Sequence, residues 1–430
     1  MKIAVLGGGF TGLTASYLLS KKGHAVTLLE KETFLGGLAA GFKQPNWDWY
    51  LERAYHHLFA NDNDIMDFAK ETGFDHFLRL SPSTDSLYEV KHNYRIFPVD
   101  SPQDFLRLPL LPLLDKMRAG VVVAGLKFSP FLPLFEKYTA KDFLEKTMGK
   151  KVWEVFWKEM FRKKFGTYAE NILASFIWAR ITKRTKDLMY IEGGFQTLID
   201  HLEKVNKAQG VDVRMGEGVV SVTKKNNNFM VKGMKKDGES IEEEFDVVIS
   251  TLPTQILGKI GEDLFPKTYL DRFKKLHYLH AVNLILESKE KLLDKTYWLS
   301  VCAESLPFMV VVQHTNFVDK KHYGNNNLLY IAKYVDSDDP LIKMSEKEIY
   351  DYWTPYLKKI NPTFNVPRST FHVFKAPLAQ PIFDKDFLQN KPDFETPVKN
   401  FFVANLDMTY PYDRGTNYAV KLGKEVSEKI

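Results

Sequence analysis

The first thirty residues, MKIAVLGGGFTGLTASYLLSKKGHAVTLLE, constrain this chain more than any other stretch. An apolar run from Ile3 to Leu6 leads into Gly7-Gly8-Gly9-Phe10-Thr11-Gly12. A helix-like segment then runs to Lys22, Gly23 stops it, and a second apolar run closes on Glu30. The pattern is that of a strand, a tight turn, a helix and a second strand. Gly7 permits the turn out of the strand, Gly9 lets the backbone approach a pyrophosphate, and Gly12 lets the helix pack closely on the strand. Phosphate oxygens would then meet the helix N-terminus at Phe10 and Thr11. Glu30 lies eighteen residues beyond Gly12, where a carboxylate can accept hydrogen bonds from an adenosine ribose and disfavours a 2′-phosphate. The expected ligand is FAD or NAD rather than NADP.

The chain has 430 residues, more than one hydrophobic core usually organises, so two structural parts are expected. Its net charge of +5 comes from 59 basic and 54 acidic residues with no long basic block, which argues for a solvated surface and against a nucleic-acid partner. The single cysteine, Cys302, excludes an intramolecular disulfide and a thiolate zinc cluster. Two adjacent histidines cannot share a metal and no HExxH spacing occurs, so no metal site is expected. The dinucleotide strand begins at Ile3, and the location expected from this is cytoplasmic. No apolar stretch is long enough to span a bilayer. The nearest is Phe105 to Phe135, where FLRLPLLPLL and AGVVVAGL are interrupted by charges. It reads either as buried helices or as a greasy surface that touches membrane or lines an entrance for a lipid-like substrate.

After Glu30 and Lys31 comes a second glycine pair, Gly36-Gly37, followed by Leu38. A GxGxxG unit, an acid and then a glycine pair resembles the FAD-binding proteins of the amine oxidase, phytoene desaturase and protoporphyrinogen oxidase superfamily. NAD dehydrogenases do not usually carry the second pair. Two later stretches extend the resemblance. In YIEGGFQTLIDHLEKVNKAQGVDVRMGEGVVSV, Gly193-Gly194 open a helix from Phe195 to about Ala208, and the following strands carry Val219, the position that touches the adenine side of FAD in the family. FDVVISTLP reads as a buried strand, Val247 to Ser250, ending at Thr251 on the cofactor edge of a parallel sheet. At the end of the chain, FFVANLDMTYPYDRGTNYAVKLGKEVSEKI suggests a strand from Phe401 to Ala404 and a helix from Gly415 to Ser427. The entry to that helix, Asp413, Arg414, Gly415, Thr416, Asn417 and Tyr418, resembles the family's glycine-opened helix at the flavin pyrimidine end, where negative charge develops on reduction. One departure is that the family's Gly-Asp after the strand is here Ala404-Asn405.

The resemblance implies an α/β fold with a Rossmann-like FAD-binding domain built from three parts, 1–75, 190–255 and 396–430. A mixed α+β substrate domain, 76–189 and 256–395, includes a mostly helical insertion over Leu87 to about Ile181. It implies non-covalent FAD, since Cys302 is not beside the C-terminal motif. The segment with Arg53, Tyr55, His56 and His57 passes close to the flavin in the family. His56 or His57 would shape the substrate face, or else hydrogen-bond locally and orient the loop. Lys333 is the candidate for the lysine that many amine oxidases hold near flavin N5; the alternative is an exposed strand lysine. Trp153, Trp157 and Trp178 are candidates for a cavity lining, or plain core.

Three functions remain open. The first is an FAD-dependent oxidoreductase taking a hydride from a small, hydrophobic substrate such as an amine, isoprenoid or porphyrinogen. The second is a nucleotide-sugar mutase resembling UDP-galactopyranose mutase, which needs arginines such as Arg162, Arg180 or Arg184 aimed at a diphosphate. The third is a non-enzymatic prenyl-protein-binding relative of the GDP-dissociation inhibitors, against which the intact glycines, Glu30 and DRGTN argue.

Overall fold

The computed structural model describes residues 1–366 and 370–430. Strand Lys2–Leu6 is apolar on both faces from Ile3 onward and fully buried there, as a central parallel strand must be when helices cover the sheet on both sides. It lies between Ala25–Glu30 and Val247–Ser250, and the sheet is completed by Asp212–Met215 on one edge and Phe401–Val403 on the other. All four pairings are parallel. The five strands come from the first thirty residues, the middle of the chain and its end. Helices Phe10–Lys21, Phe195–Ala208 and Thr416–Ser427 pack on this sheet, with Leu13, Leu198, Leu202 and Val420 in one buried cluster.

Strands Glu217–Lys225, Asn228–Lys235 and Ser240–Phe245 form a small antiparallel sheet beside it. A larger sheet of seven strands runs Phe371–Pro381, Tyr278–Ser288, Asn327–Val335, Val310–Gln313, Thr296–Cys302, Ser83–Val90 and Asn93–Pro98. It is mixed: only Thr296–Cys302 and Ser83–Val90 pair in parallel. The first part of the segment expected to be helical, from Leu87 to Pro98, is therefore strand. Leu87 and Tyr88 are buried in the sheet, and the hairpin turns on Lys91 and His92, both at positive φ.

Beyond that hairpin the insertion is helical, with Leu113–Phe128, Ala140–Thr147, Lys158–Phe165 and Ala174–Lys183 as its main members. Between the helical pieces Lys150–Val152 and Lys158–Phe165 lies a π-helical turn, Trp153–Trp157. Such turns occur often at functional sites, and this one swings Phe156 and Trp157 onto the wall of a cavity. Trp153 goes the other way, into a buried cluster with Phe161. Trp178 is likewise packed inside, its indole N–H donating to the Ser129 carbonyl at 2.8 Å.

Candidate cofactor and substrate site

A single cavity of about 1970 Å³ runs from the Gly7–Gly12 turn to the face of the seven-stranded sheet. That exceeds the ~300–1,000 Å³ of a pocket for one small molecule, leaving room for a cofactor and a second ligand.

At one end the glycines divide by physical role. A Cβ on Gly12 would stand 2.0 Å from the Gly7 carbonyl oxygen, so this glycine is required for the helix to reach the strand. Gly7, at φ 105°, is required for the turn. A Cβ on Gly9 would meet nothing within 4 Å. Nothing in the protein itself therefore demands glycine at position 9; the space beside it is open to a ligand. The second pair closes over the first: Gly36 donates its N–H to the Gly8 carbonyl at 2.9 Å, and a Cβ on Gly37 would lie 3.5 Å from the Gly9 Cα. Glu30 is buried and accepts hydrogen bonds from the amides of Gly8 at 2.8 Å and Glu32 at 2.9 Å. No cation neutralises it among the described residues. Lys31 and Leu38 are exposed on the rim, while Val219 and Thr251 form the adjoining wall, Thr251 donating its hydroxyl to the Leu6 carbonyl at 2.8 Å.

The chain's last segment forms the next wall. The first amides of helix Thr416–Ser427 face the cavity from Gly415 onward. The Asn417 side chain turns aside to accept from the Ile65 amide at 3.1 Å, tying this helix to Asn63–Glu71. The Tyr418 ring stacks on Tyr412 with centroids 4.7 Å apart. Asn405 is on the cavity wall. Its amide donates to the Leu252 carbonyl at 3.0 Å and the Thr254 hydroxyl at 2.9 Å, and its oxygen accepts from the Asp407 amide. Both its donors are spent holding the loops that flank the cavity.

The second half of the cavity lies against the large sheet. A row of residues in register crosses five pairings there: Ser86, Ser300, Val310, Ala332, Asn283 and Phe374. Small side chains in this row keep the sheet face low. The Ser86 hydroxyl and the Asn283 amide nitrogen are buried without a partner. His56 and His57 both line the chamber. The Nδ1 of His56 is bonded to the Ala54 carbonyl at 2.7 Å, and that of His57 to the Tyr297 hydroxyl at 3.2 Å. Burial pulls their pKa values down to about 4 and about 3, so both rings are neutral at physiological pH.

Lys333 is a correction. Alternation along Asn327–Val335 turns Tyr330, Ala332 and Tyr334 towards the cavity side and Leu329, Ile331 and Val335 into the opposite core. Lys333 has the parity of the second set, and its ammonium lies 3.6 Å from Asp339. It is absent from the cavity wall. Arg414, expected at the entry to the final helix, is on the wall and donates to Tyr334 and to the Ala379 carbonyl, and Lys163 and Lys164, which the sequence did not single out, are there too, Lys164 paired with Asp413. Arg180 and Arg184 line the chamber, whereas Arg162 bonds to Glu159 and Glu304 outside it.

At the mouth, helix Leu113–Phe128 presents its apolar side outward. Leu114 is 79% exposed, Val121 74% and Phe128 84%, while Lys116 points inward and donates to the Leu106 carbonyl. Met117, Val123 and Phe128 also line the cavity. No helix among the described residues is long and apolar enough to cross a membrane.

This donor set fits a dinucleotide: open helix amides, an uncompensated buried carboxylate, and a glycine with free space beside it. Comparison with known proteins agrees. The chain is 21% identical, over its whole length and 96% of the relative, to a 15-cis-phytoene desaturase from Synechococcus elongatus. It shares its fold with an oxidoreductase from Methanosarcina mazei (TM-score 0.76, 19% identity, all of both chains covered). It shares it also with reduced UDP-galactopyranose mutase (TM-score 0.72, 15% identity, 99% and 94% covered). Residues 10–430 match the family of flavin containing amine oxidoreductases, and the chain therefore belongs to that family, as an FAD-dependent oxidoreductase that binds its flavin without a covalent bond.

Proposed function

We propose that the enzyme takes a hydride from a C–H bond of a small molecule with a largely apolar body, an isoprenoid-like chain being a better match than a compact polar substrate. The observation that carries this reading is the one continuous cavity, lined by glycines and helix amides at one end, by many aromatic and aliphatic side chains with a few cations among them at the other, and opening beside an exposed apolar helix. Bound FAD supplies the acceptor, flavin N5. The amides of Phe10, Thr11 and Gly12, beside the open space at Gly9, would hold its diphosphate. Glu30 accepts from the adenosine ribose with the lone pairs that the Gly8 and Glu32 amides leave free, and Val219 and Thr251 wall the adenine side. Amides from Thr416 to Tyr418 stabilise charge at the pyrimidine end. Residues 1–75, 190–255 and 396–430 make the cofactor domain in this reading, and 76–189 with 256–395 the substrate domain.

His56 and His57, both neutral and both tied by Nδ1, shape the chamber and exclude water. Neither is suited to hold a proton at neutral pH, and a hydride transfer asks neither to do so. The sheet row from Ser86 to Phe374 supplies a floor along which an extended chain lies. The outward apolar side of Leu113–Phe128 rests on a membrane surface, so a lipid-like substrate enters without crossing water.

Anaerobic mixing of the holoenzyme with candidate substrates tests the reaction. Bleaching of the flavin bands by isoprenoid-like compounds is expected. Turnover of a nucleotide sugar, seen only after dithionite reduction and with no bleaching by any apolar compound, would replace this reading with the mutase one.

A further inference from the structure

Within the substrate half of the cavity, the charges do not balance. Lys164 is paired with Asp413, and Arg184 reaches Asp100 at 3.4 Å. Arg414 is held by a hydroxyl and a carbonyl, with no carboxylate within ion-pair distance. The Arg180 guanidinium has no hydrogen-bond or ion-pair partner among the described residues. Of the cations Lys164, Arg180, Arg184 and Arg414, the first and third have a carboxylate partner, Asp413 and Asp100, and Arg180 and Arg414 have none among the described residues, which leaves a local surplus of positive charge. Arg180 is close enough to His57, Lys164, Tyr334 and Asp413 for its charge to act on all of them. Arg184 is held below the usual arginine range by burial and by Arg180 beside it.

The placement of Arg180 follows from the helix. Ala174–Lys183 presents Phe176 and Ile177 to the cavity, and Arg180 lies four and three residues further on, on the same face. A cation near a helix C-terminus often serves the unpaired carbonyls there. Here that work is done from another helix: the Lys127 ammonium donates to the carbonyls of Ile181 at 3.2 Å, Thr182 at 2.9 Å and Arg184 at 3.2 Å. Capping therefore does not explain Arg180, and Asp413 does not need it, having Lys164. Phe156, Met160, Phe161, Ile177 and Met309 supply apolar wall to the same chamber.

We infer that Arg180, supported by Arg184, receives an anionic group of the substrate, a carboxylate or a phosphate, while the apolar chamber takes the rest of the molecule. The substrate class is then an amphipathic anion. An aliphatic amine, cationic at neutral pH, would be repelled by the same surplus, and a neutral hydrocarbon would leave the guanidinium unused. The planar donor fork of arginine matches either oxyanion in a bidentate way. This inference rests on the reading of the chamber as the substrate site.

The experiment is titration of the holoenzyme, read by perturbation of flavin absorbance, with five probes. Oleate and farnesyl diphosphate carry the two candidate anions on an apolar chain, farnesol is neutral, dodecylamine is cationic, and UDP is an anion without an apolar body. At least one of oleate and farnesyl diphosphate should bind ten-fold or more tighter than the other three, and which of them does identifies the head group. Arg180→Gln should weaken that probe at least ten-fold, leave farnesol and the FAD content unchanged, and be partly reversed by Arg180→Lys. Because Arg180 is solvent-accessible and unpartnered, the variant should fold normally.

Equal binding of farnesol or dodecylamine overturns the inference, as does an Arg180→Gln variant that binds the anion normally. Loss of FAD from that variant overturns it in favour of a cofactor role, and UDP binding as tight as farnesyl diphosphate overturns the amphipathic class. Failure of the hydride reading looks different: Arg180-dependent anion binding with no flavin bleaching by any apolar compound. Bleaching by dodecylamine, with no Arg180-dependent binding, would leave hydride transfer standing and remove the anion site.

Discussion

Lys164, on the helix Lys158–Phe165, and Asp413, on the loop before the final helix, form a closed ion pair on the cavity wall. The pair joins the helical insertion to the segment that opens helix Thr416–Ser427, so it couples the substrate half to the cofactor half. Burial pulls Lys164 down to about 8. Burial would raise Asp413, but Lys164 beside it more than offsets that and leaves the carboxylate at about 2. Lys164→Met should destabilise the holoenzyme by ~2 kcal/mol, below the ~3–5 kcal/mol for a fully buried pair because cavity water reaches both groups. Urea melts measure this. The deficit should be largest near pH 7 and shrink towards pH 4, since Asp413 without its partner takes up a proton more readily in the folded state and then no longer stands as an unpaired buried charge. A variant as stable as wild type at both pH values would remove the coupling.

Glycines 9 and 12 should separate folding from cofactor binding. Gly12→Ala forces a Cβ against the Gly7 carbonyl and should cost ~3 kcal/mol of apoprotein stability. Gly9→Ala, with φ −78° and empty space around it, should change apoprotein stability by less than ~1 kcal/mol, yet lower FAD retention after desalting. Full FAD occupancy in Gly9→Ala would show that nothing approaches the backbone there.

Glu30→Ala should likewise lower flavin retention without a large change in fold. The two amides that Glu30 accepts, Gly8 and Glu32, lie at the cavity edge and can turn to water. The flavin-to-protein absorbance ratio measures the effect, and an unchanged ratio would remove Glu30 from the ribose site.

Acid sensitivity should follow the two chamber histidines. Their folded values of about 4 and about 3 lie below the ordinary 6.5, so the stability they contribute is present above pH 6.5 and lost as pH falls towards those values. His57→Phe should flatten that acid limb in thermal melts between pH 6.5 and 4. It should leave the pH profile of flavin reduction unchanged between pH 6 and 8, where His57 is neutral throughout. A rate that follows a group near 7 and vanishes in His57→Phe would make the histidine a proton carrier.

The outward side of Leu113–Phe128 should bind membranes. Leu114→Glu with Val121→Glu removes exposed apolar area without touching the core. Melting temperature should stay within a few degrees, and co-sedimentation with vesicles of phosphatidylcholine and phosphatidylglycerol should fall several-fold. Wild-type protein that stays in the supernatant would end the membrane reading.

The strand, turn, helix and acid of Met1 to Glu30 were legible because each part acts within a few residues of itself: glycine conformations, a helix start and apolar runs are local. The same holds for Gly36-Gly37 and for the glycine-opened helices at Phe195 and Thr416. Alternation along strands was legible too, but not which face meets the cavity. Lys333 shows the consequence, since one residue of parity separates the cavity side, with Tyr334, from the core that Ile331 joins. The π-helical turn at Trp153–Trp157 puts Trp157 on the cavity wall and Trp153 in the core, a division between lining and core that periodicity alone did not decide.

What the sequence by itself determined is therefore the dinucleotide half of this enzyme, in which the chemistry is carried by backbone amides and short-range geometry. Tertiary structure alone decided the substrate half. Asn283 and Ser86 fall in one row there only through strand register, Lys164 finds Asp413 across 249 residues of chain, and Arg180 is left without a side-chain partner because Lys127 and Lys164 take the groups it would otherwise serve. Those relations depend on long-range packing, for which no local pattern in the chain is a substitute.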